Sequence, residues 1–208
     1  MRLRNVKGAS EKIDACKYII SDYKKYCGRY KELFGNDKPI CIEIGMGKGD
    51  FIKGMALNNP DINYIGIEKF DSVMVRAVEK LEDTNFDNLK LIKMDAEYIG
   101  EVFNKEIDTI YLNFSDPWPK DRHEKRRLTS PNFLSKYDSL FKGDKHIIFK
   151  TDNRKLFEYS IKSFTDYGYR INNISLDLHK DDISNVETEY EKRFSALGPI
   201  YMVDISKK

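Results

Sequence analysis

No stretch of about 18 consecutive apolar residues occurs anywhere in this chain, so the sequence predicts no membrane-spanning helix. Cysteine is scarce. Cys16, Cys27 and Cys41 are odd in number and lack the paired spacing of metal ligands or redox dithiols, so they read as reduced thiols, Cys41 within a strand. His123 and His179 likewise have no partner spacing for a metal or a catalytic triad, and no metal site is expected. The basic start, Met1-Arg2-Leu3-Arg4-Asn5-Val6-Lys7, has no apolar stretch behind it and does not read as a secretory leader. Low-complexity segments, internal repeats and Pro/Gly-rich linkers are also missing, which removes any obvious domain boundary. These absences predict a cytoplasmic protein with one globular unit at residues 35–208, preceded by an arm and helical segment at residues 1–34 that packs on it.

Charge is plentiful, at 34% of residues, but hardly favours one sign: the net charge is only +2. Its distribution is uneven. Residues 120–127 hold five Lys or Arg against two acids, and residues 1–12 hold four against one. A polyanion would therefore be met at local patches rather than by a globally basic surface.

From Pro39 onward, short apolar runs alternate with amphipathic helical patterns. Strands are expected at 40–44, 63–68, 89–94, 109–114 and 145–151, with helices near 50–59, 71–84, 130–141 and 156–167. Two more strand-like runs, 170–178 and 199–205, follow. Residues 9–34 read as irregular helical material in which Ser10 is a candidate N-cap. The alternation predicts an α/β fold with a mostly parallel sheet covered by helices on both faces. Ligands of such sheets sit outside the carboxyl ends of the strands, where the strand order reverses.

The chemistry-bearing residues fall at those strand ends. Glu43-Ile44-Gly45-Met46-Gly47-Lys48-Gly49-Asp50 follows the first strand and opens a helix, and Gly45, Gly47 and Gly49 allow close backbone approach to a ligand. A dinucleotide fingerprint would need its third glycine where Asp50 stands. The pattern instead resembles the first motif of Rossmann-like class I methyltransferases. Glu68 ends the second strand, placed to accept from ribose hydroxyls, and Asp95 ends the third, placed for an adenine amine. Three carboxylates suit a cofactor bearing a sulfonium and an amine, S-adenosylmethionine, better than an anionic dinucleotide. Read alone, Asp95 and Asp152 also suit helix N-caps, and Thr188-Glu189-Tyr190-Glu191 a capping box.

After the fourth strand comes Asn113-Phe114-Ser115-Asp116-Pro117-Trp118-Pro119-Lys120, whose prolines predict a stiff, extended loop around the only tryptophan. This segment, His123-Glu124-Lys125-Arg126-Arg127-Leu128-Thr129, Phe149-Lys150-Thr151-Asp152-Asn153-Arg154 and Thr188-Glu189-Tyr190-Glu191 closely resemble the bacterial single-chain tRNA (guanine-N7-)-methyltransferase family, which modifies guanine 46 of the variable loop. The resemblance runs from Phe34 to Tyr201. It implies a seven-stranded sheet, with Glu43, Glu68, Asp95 and Asp116 contacting S-adenosylmethionine and Asp116 also at the active centre. It implies substrate contacts from Lys120, Asp152, Thr188, Glu189, Tyr190 and Glu191, and RNA contacts from Arg122, His123, Glu124, Lys125, Arg126 and Arg127. The partner implied is tRNA, with no obligatory protein partner; self-association is left open.

Guanine N7 carries an in-plane lone pair, so no proton must leave before methylation. Alignment at a near-attack distance of about 3–3.5 Å is the main requirement. The product is a cationic purine, which a carboxylate stabilises. Asp116 is therefore expected to hold the base and stabilise charge rather than act as a base. Lys120 suits O6 or a phosphate, since N7 cannot be attacked and hydrogen-bonded along one lone pair. Two other functions compete on sequence. One is methylation of an exocyclic base amine, whose Asp-Pro-Pro-aromatic loop differs by having Trp118 at the second proline. The other is a silent RNA- or cofactor-binding module, against which the full set of carboxylates speaks.

Overall fold

Five short Ile- and Leu-rich runs form parallel strands in a computed structural model that describes residues 6–208; the basic arm at residues 1–5 lies outside the described residues. They are β1 (Ile40–Ile44), β2 (Asn63–Glu68), β3 (Leu89–Lys93), β4 (Thr109–Asn113) and β5 (Lys145–Thr151). Every residue of β1 and β2 is buried, as strands covered on both faces require. Two further strands, β6 (Arg170–Ser175) and β7 (Tyr201–Lys207), complete a seven-stranded sheet of order β3-β2-β1-β4-β5-β7-β6. β7 runs antiparallel to both β5 and β6. The mostly parallel seven-stranded sheet expected from the sequence is the sheet observed, with its antiparallel pairings confined to β7 and its two neighbours.

Period-two alternation sends side chains to two cores. Ile42, Ile65, Ile110 and Phe149 pack with Leu134 and Phe157, which belong to α5 (Pro131–Tyr137) and α6 (Arg154–Asp166). Cys41, Tyr64, Leu89 and Leu91 face the other way, against Ile13, Ile52, Ala56, Met74 and Val78. Those partners come from α1 (Ala9–Asp14), α3 (Asp50–Asn58) and α4 (Asp71–Leu81). The other α-helices among the described residues are α2 (Tyr30–Phe34) and α7 (Glu189–Phe194). Among the described residues, no helix is long and apolar enough to cross a membrane.

Before β1 the chain differs from expectation. Gly8, not Ser10, occupies the N-cap of α1, with φ of 75°. Ser10 lies inside the helix, its hydroxyl donating to Asp14 Oδ2 at 3.5 Å. Residues 18–20 then run beside β3: Ile20 N donates to Leu91 O (2.9 Å) and Leu91 N to Tyr18 O (2.8 Å). So short a run, Tyr18-Ile19-Ile20, shows no period of its own. The helix expected over 130–141 stops at Tyr137, because Lys105, Glu106 and Ile107 draw the carbonyls of Ser139 and Leu140 into backbone bonds of 2.9 Å.

The strand order reverses between β1 and β4, with β2 and β3 on one side and β5 on the other. That reversal leaves a crevice at the carboxyl ends of β1 and β4.

Candidate active site

The turn after β1 is shaped by three glycines with positive φ: Gly45 (77°), Gly47 (60°) and Gly49 (79°). Gly49 packs against α4, where an added Cβ would stand 2.9 Å from Ala77 Cβ. Gly45 and Gly47 are different: among the described residues, a Cβ on either would meet no atom within 4 Å. Their backbone borders open space, as in a cradle for a ligand.

Glu43 and Asn113 meet across the strand reversal. Asn113 Nδ2 donates to Glu43 Oε1 at 2.8 Å, and the side chains are buried. Among the described residues, Glu43 Oε2 and Asn113 Oδ1 have no partner, nor does Ser115 Oγ. Unpaired buried acceptors are costly, so this pair is complementary to a donor-rich, cationic ligand. Burial pushes the Glu43 carboxyl up to about 8, against the Asn113 hydrogen bond and the nearby Lys150 charge.

Glu68 is tied to the same turn. Its Oε2 accepts from Gly47 N (3.1 Å) and its Oε1 from the amides of Lys69 (2.8 Å) and Phe70 (2.9 Å). Burial raises its carboxyl, the three amides oppose, and the like charge of Asp116 raises it further. Asp95 caps a 3₁₀ turn, accepting from Glu97 N at 3.0 Å, and pairs with Lys69 at 2.6 Å. Burial raises its carboxyl, but those two bonds outweigh it and hold the group below its ordinary range.

The loop after β4 is stiff but not extended throughout. Phe114 and Trp118 adopt left-handed φ of 51° and 41°, a conformation that bulky residues keep only when neighbours hold it. Phe114 N donates to Lys150 O (2.9 Å). Arg127 grips the other end, donating to Pro117 O and Trp118 O, both at 3.1 Å, while its guanidinium lies 4.2 Å from the Tyr159 ring centroid. Trp118 stacks on His123 (5.7 Å between centroids) and lies 4.9 Å from Arg126. Asp116, Lys120, Arg122, Glu124, Lys125 and Arg126 are exposed.

The segment containing α7 closes the crevice. Thr188 and Glu191 do form a capping box. Glu189 pairs with Lys48 of the glycine turn and with Lys80 of α4, and those two bonds hold its carboxyl below the ordinary range. Tyr190 Oη donates to Asp152 Oδ2 at 2.9 Å, and its ring lies 5.1 Å from that of Phe114. Asn153, not Asp152, caps α6, accepting from Leu156 N at 2.9 Å; Asp152 is exposed. Glu191 turns inward to Lys150 (2.8 Å) and His179 (3.1 Å).

A cavity of about 280 Å³ results. The glycine turn, Glu43, Asn113, Phe114, Thr188, Glu189, Tyr190, Arg193 and Phe194 line it. Of the residues expected from sequence, Glu43, Gly45, Gly47, Gly49, Thr188, Glu189 and Tyr190 come together there. Glu68, Asp95, Asp116, Lys120, Asp152 and Glu191 lie outside that lining. Asn113 falls within the segment expected at the active centre but was given no role of its own, and Lys48, Val73, Arg193 and Phe194 also line the cavity. Asn113, as a polar residue closing an otherwise apolar strand, was the one with a readable signal.

Known proteins resemble the chain at two levels. A family model described as "Putative methyltransferase" matches residues 37–202. The tRNA (guanine-N(7)-)-methyltransferase of Bacillus velezensis is 54% identical over 99% of this chain and 96% of its own. Those of Bacillus subtilis and Lachnoclostridium phytofermentans are 52% and 51% identical, covering 99% and 97% of this chain and 98% and 96% of theirs. Solved structures match more distantly, in fold alone. An antibiotic-related methyltransferase is 20% identical with a TM-score of 0.65, covering 86% of this chain and 92% of that one. A 30S ribosomal A1408 methyltransferase from an uncultured bacterium is 17% identical with a TM-score of 0.65, covering 86% and 93%.

Proposed function

The chain belongs to the family of tRNA (guanine-N(7)-)-methyltransferases, and from that premise we propose that it methylates N7 of guanine 46 in the tRNA variable loop, using S-adenosylmethionine. The observation that carries the cofactor reading is the buried Glu43–Asn113 pair, with its two unpartnered oxygens beside a glycine cradle. S-adenosylmethionine supplies an electrophilic methyl group on a sulfonium. Glu43 and Asn113 offer acceptors to its ammonium, and the open faces of Gly45 and Gly47 admit its backbone. Glu68 retains lone pairs for ribose hydroxyls, since each carboxylate oxygen can accept more than one bond. Asp95 is assigned to accept from the adenine amine.

Asp116 holds guanine through N1–H and the exocyclic amine and stabilises the positive charge that builds on the ring as N7 is alkylated. No proton leaves N7, so no general base is assigned. Lys120, Asp152, Thr188 and Tyr190 are assigned to the target base. Arg122, Lys125 and Arg126 meet phosphates, which fix register without reading sequence. His123 shapes that surface through its stack on Trp118.

Labelled methyl transfer to a tRNA transcript, and to its guanine-46-to-adenine version, tests this reading. Incorporation into the first alone, at a base that becomes cleavable after reduction and aniline treatment, is expected. Equal incorporation into both would overturn the target assignment.

A further inference from the structure

Glu191 stands in the segment that resembles a substrate-binding motif, yet its carboxylate points into the protein. Its side chain is 0% exposed and that of Lys150 is 3% exposed. Glu191 Oε2 accepts from Lys150 Nζ (2.8 Å), and Oε1 accepts from Asn185 Nδ2 (2.7 Å) and meets His179 Nε2 at 3.1 Å. The Lys150 ammonium has three N–H groups, and three acceptors meet it: Glu191 Oε2, Asn185 Oδ1 (2.9 Å) and Val186 O (3.0 Å). Thr188 N donates to Glu191 Oε2 as well (3.4 Å), so all four acceptor positions of the carboxylate and all three N–H groups of the ammonium are engaged within the protein. The two residues before Glu191 face outward, Glu189 to the cofactor turn and Tyr190 to Asp152 and Phe114.

We propose that Lys150 and Glu191 are positioning residues: their buried pair fixes the register of residues 185–191 so that Glu189 bears on the cofactor turn and Tyr190 on the target side. The proposal rests on the methyl-transfer reading for the names of those two sides. A buried ion pair is a poor source of stability, because a well-packed apolar pair of similar volume often replaces it without loss, whereas removing one partner strands a buried charge. Direction is what an apolar pair cannot supply. Lys150 needs three acceptors at fixed places, and only one register of the segment provides them. Phe114 hangs from the Lys150 carbonyl, so one residue of β5 orients both the target loop and the segment facing it.

The test compares Lys150→Met, Glu191→Gln and the double variant Lys150→Met/Glu191→Leu. Thermal unfolding, amide hydrogen exchange over residues 185–194 and steady-state kinetics are measured for each. Lys150→Met alone is expected to lower Tm. The double variant is expected to recover Tm but to exchange faster at 185–194, with KM for tRNA raised about 10- to 100-fold, the scale set by small misplacements in a site. Tyr190→Ala should then weaken the wild type but add nothing in the double variant. A double variant with wild-type exchange and wild-type KM would overturn the proposal by showing the pair to be merely structural. A loss of tRNA affinity in Glu191→Gln with unchanged exchange would overturn it in favour of direct contact. Hydrogen exchange needs no turnover, so failure of the methyl-transfer reading leaves that arm decisive.

Discussion

Asn113 and Glu43 face each other from the ends of neighbouring strands, and their 2.8 Å hydrogen bond leaves one buried oxygen on each without a partner. With burial raising Glu43 to about 8, the ligand-free protein holds this group protonated at neutral pH. A cationic ligand favours the carboxylate. Binding of S-adenosylhomocysteine near pH 7 should therefore release up to about one proton, read by calorimetry in buffers of different ionisation enthalpy. Glu43→Gln should release none from this site; equal release from both proteins would exclude it as the source. The groups facing Glu43 are Asn113 and Lys150, which favour its ionised form, and Glu68, which opposes it. The sign for stability follows from a folded pKa above the unfolded one. Between about pH 4.3 and the folded value, the native state keeps a proton that the unfolded chain has lost. Stability of the ligand-free protein should thus fall as pH rises through that window, by at most about 1.4 kcal/mol per unit from this group, and Glu43→Gln should flatten that slope.

Asp116→Asn should keep most of the tRNA affinity, since an amide still reaches the guanine edge. Turnover should fall about 10²- to 10³-fold, the scale seen when one stabilising group is removed from a developing charge. Wild-type single-turnover rates in the variant would refute an electrostatic role.

The basic run should divide into two kinds of residue. Lys125→Ala with Arg126→Ala should lower the salt slope of tRNA binding by about 1–2 units while altering turnover little at low salt. Arg127 holds the carbonyls of Pro117 and Trp118, so Arg127→Ala should reduce turnover at saturating tRNA as well. Identical behaviour of all three in both measurements would remove the distinction.

The glycines of the cofactor turn should also separate. Gly49→Ala places a Cβ 2.9 Å from Ala77 Cβ on a backbone of φ 79°, and should destabilise by about 1–3 kcal/mol in thermal or denaturant unfolding. Gly45→Ala meets no protein atom and should retain more stability, yet lose cofactor affinity because its methyl enters the cradle. Equal Tm losses with unchanged cofactor affinity for Gly45→Ala would count against the cradle.

Strand positions were legible because apolar runs bounded by polar residues report burial directly; β1, β2 and β5 appear where the pattern put them. Glu43 was legible because an acid inside an apolar strand run stands out, and it lines the cavity; Asp95 also reads as an N-cap, and it is one. What sequence could not convey was pairing at a distance. Glu191 reads as a cap and is one, but its partner Lys150 lies 41 residues away in sequence. Arg127 reads as part of a solvated basic run, although folding turns it onto the Pro117 and Trp118 carbonyls. Ser10 shows the local failure: its side chain suits an N-cap, but Gly8 supplies the left-handed turn that starts the helix.

β7 lies between β5 and β6, so β6 cannot join the sheet until residues 201–207 have been made. During vectorial synthesis β6 must wait outside a nearly finished domain. Its sequence fits that delay, because Arg170, Asn172 and Asn173 interrupt its apolar residues, and Ile171 and Ile174 stay 41% and 45% exposed even after folding. A strand that gains so little from burial has little to drive premature association between unfinished chains.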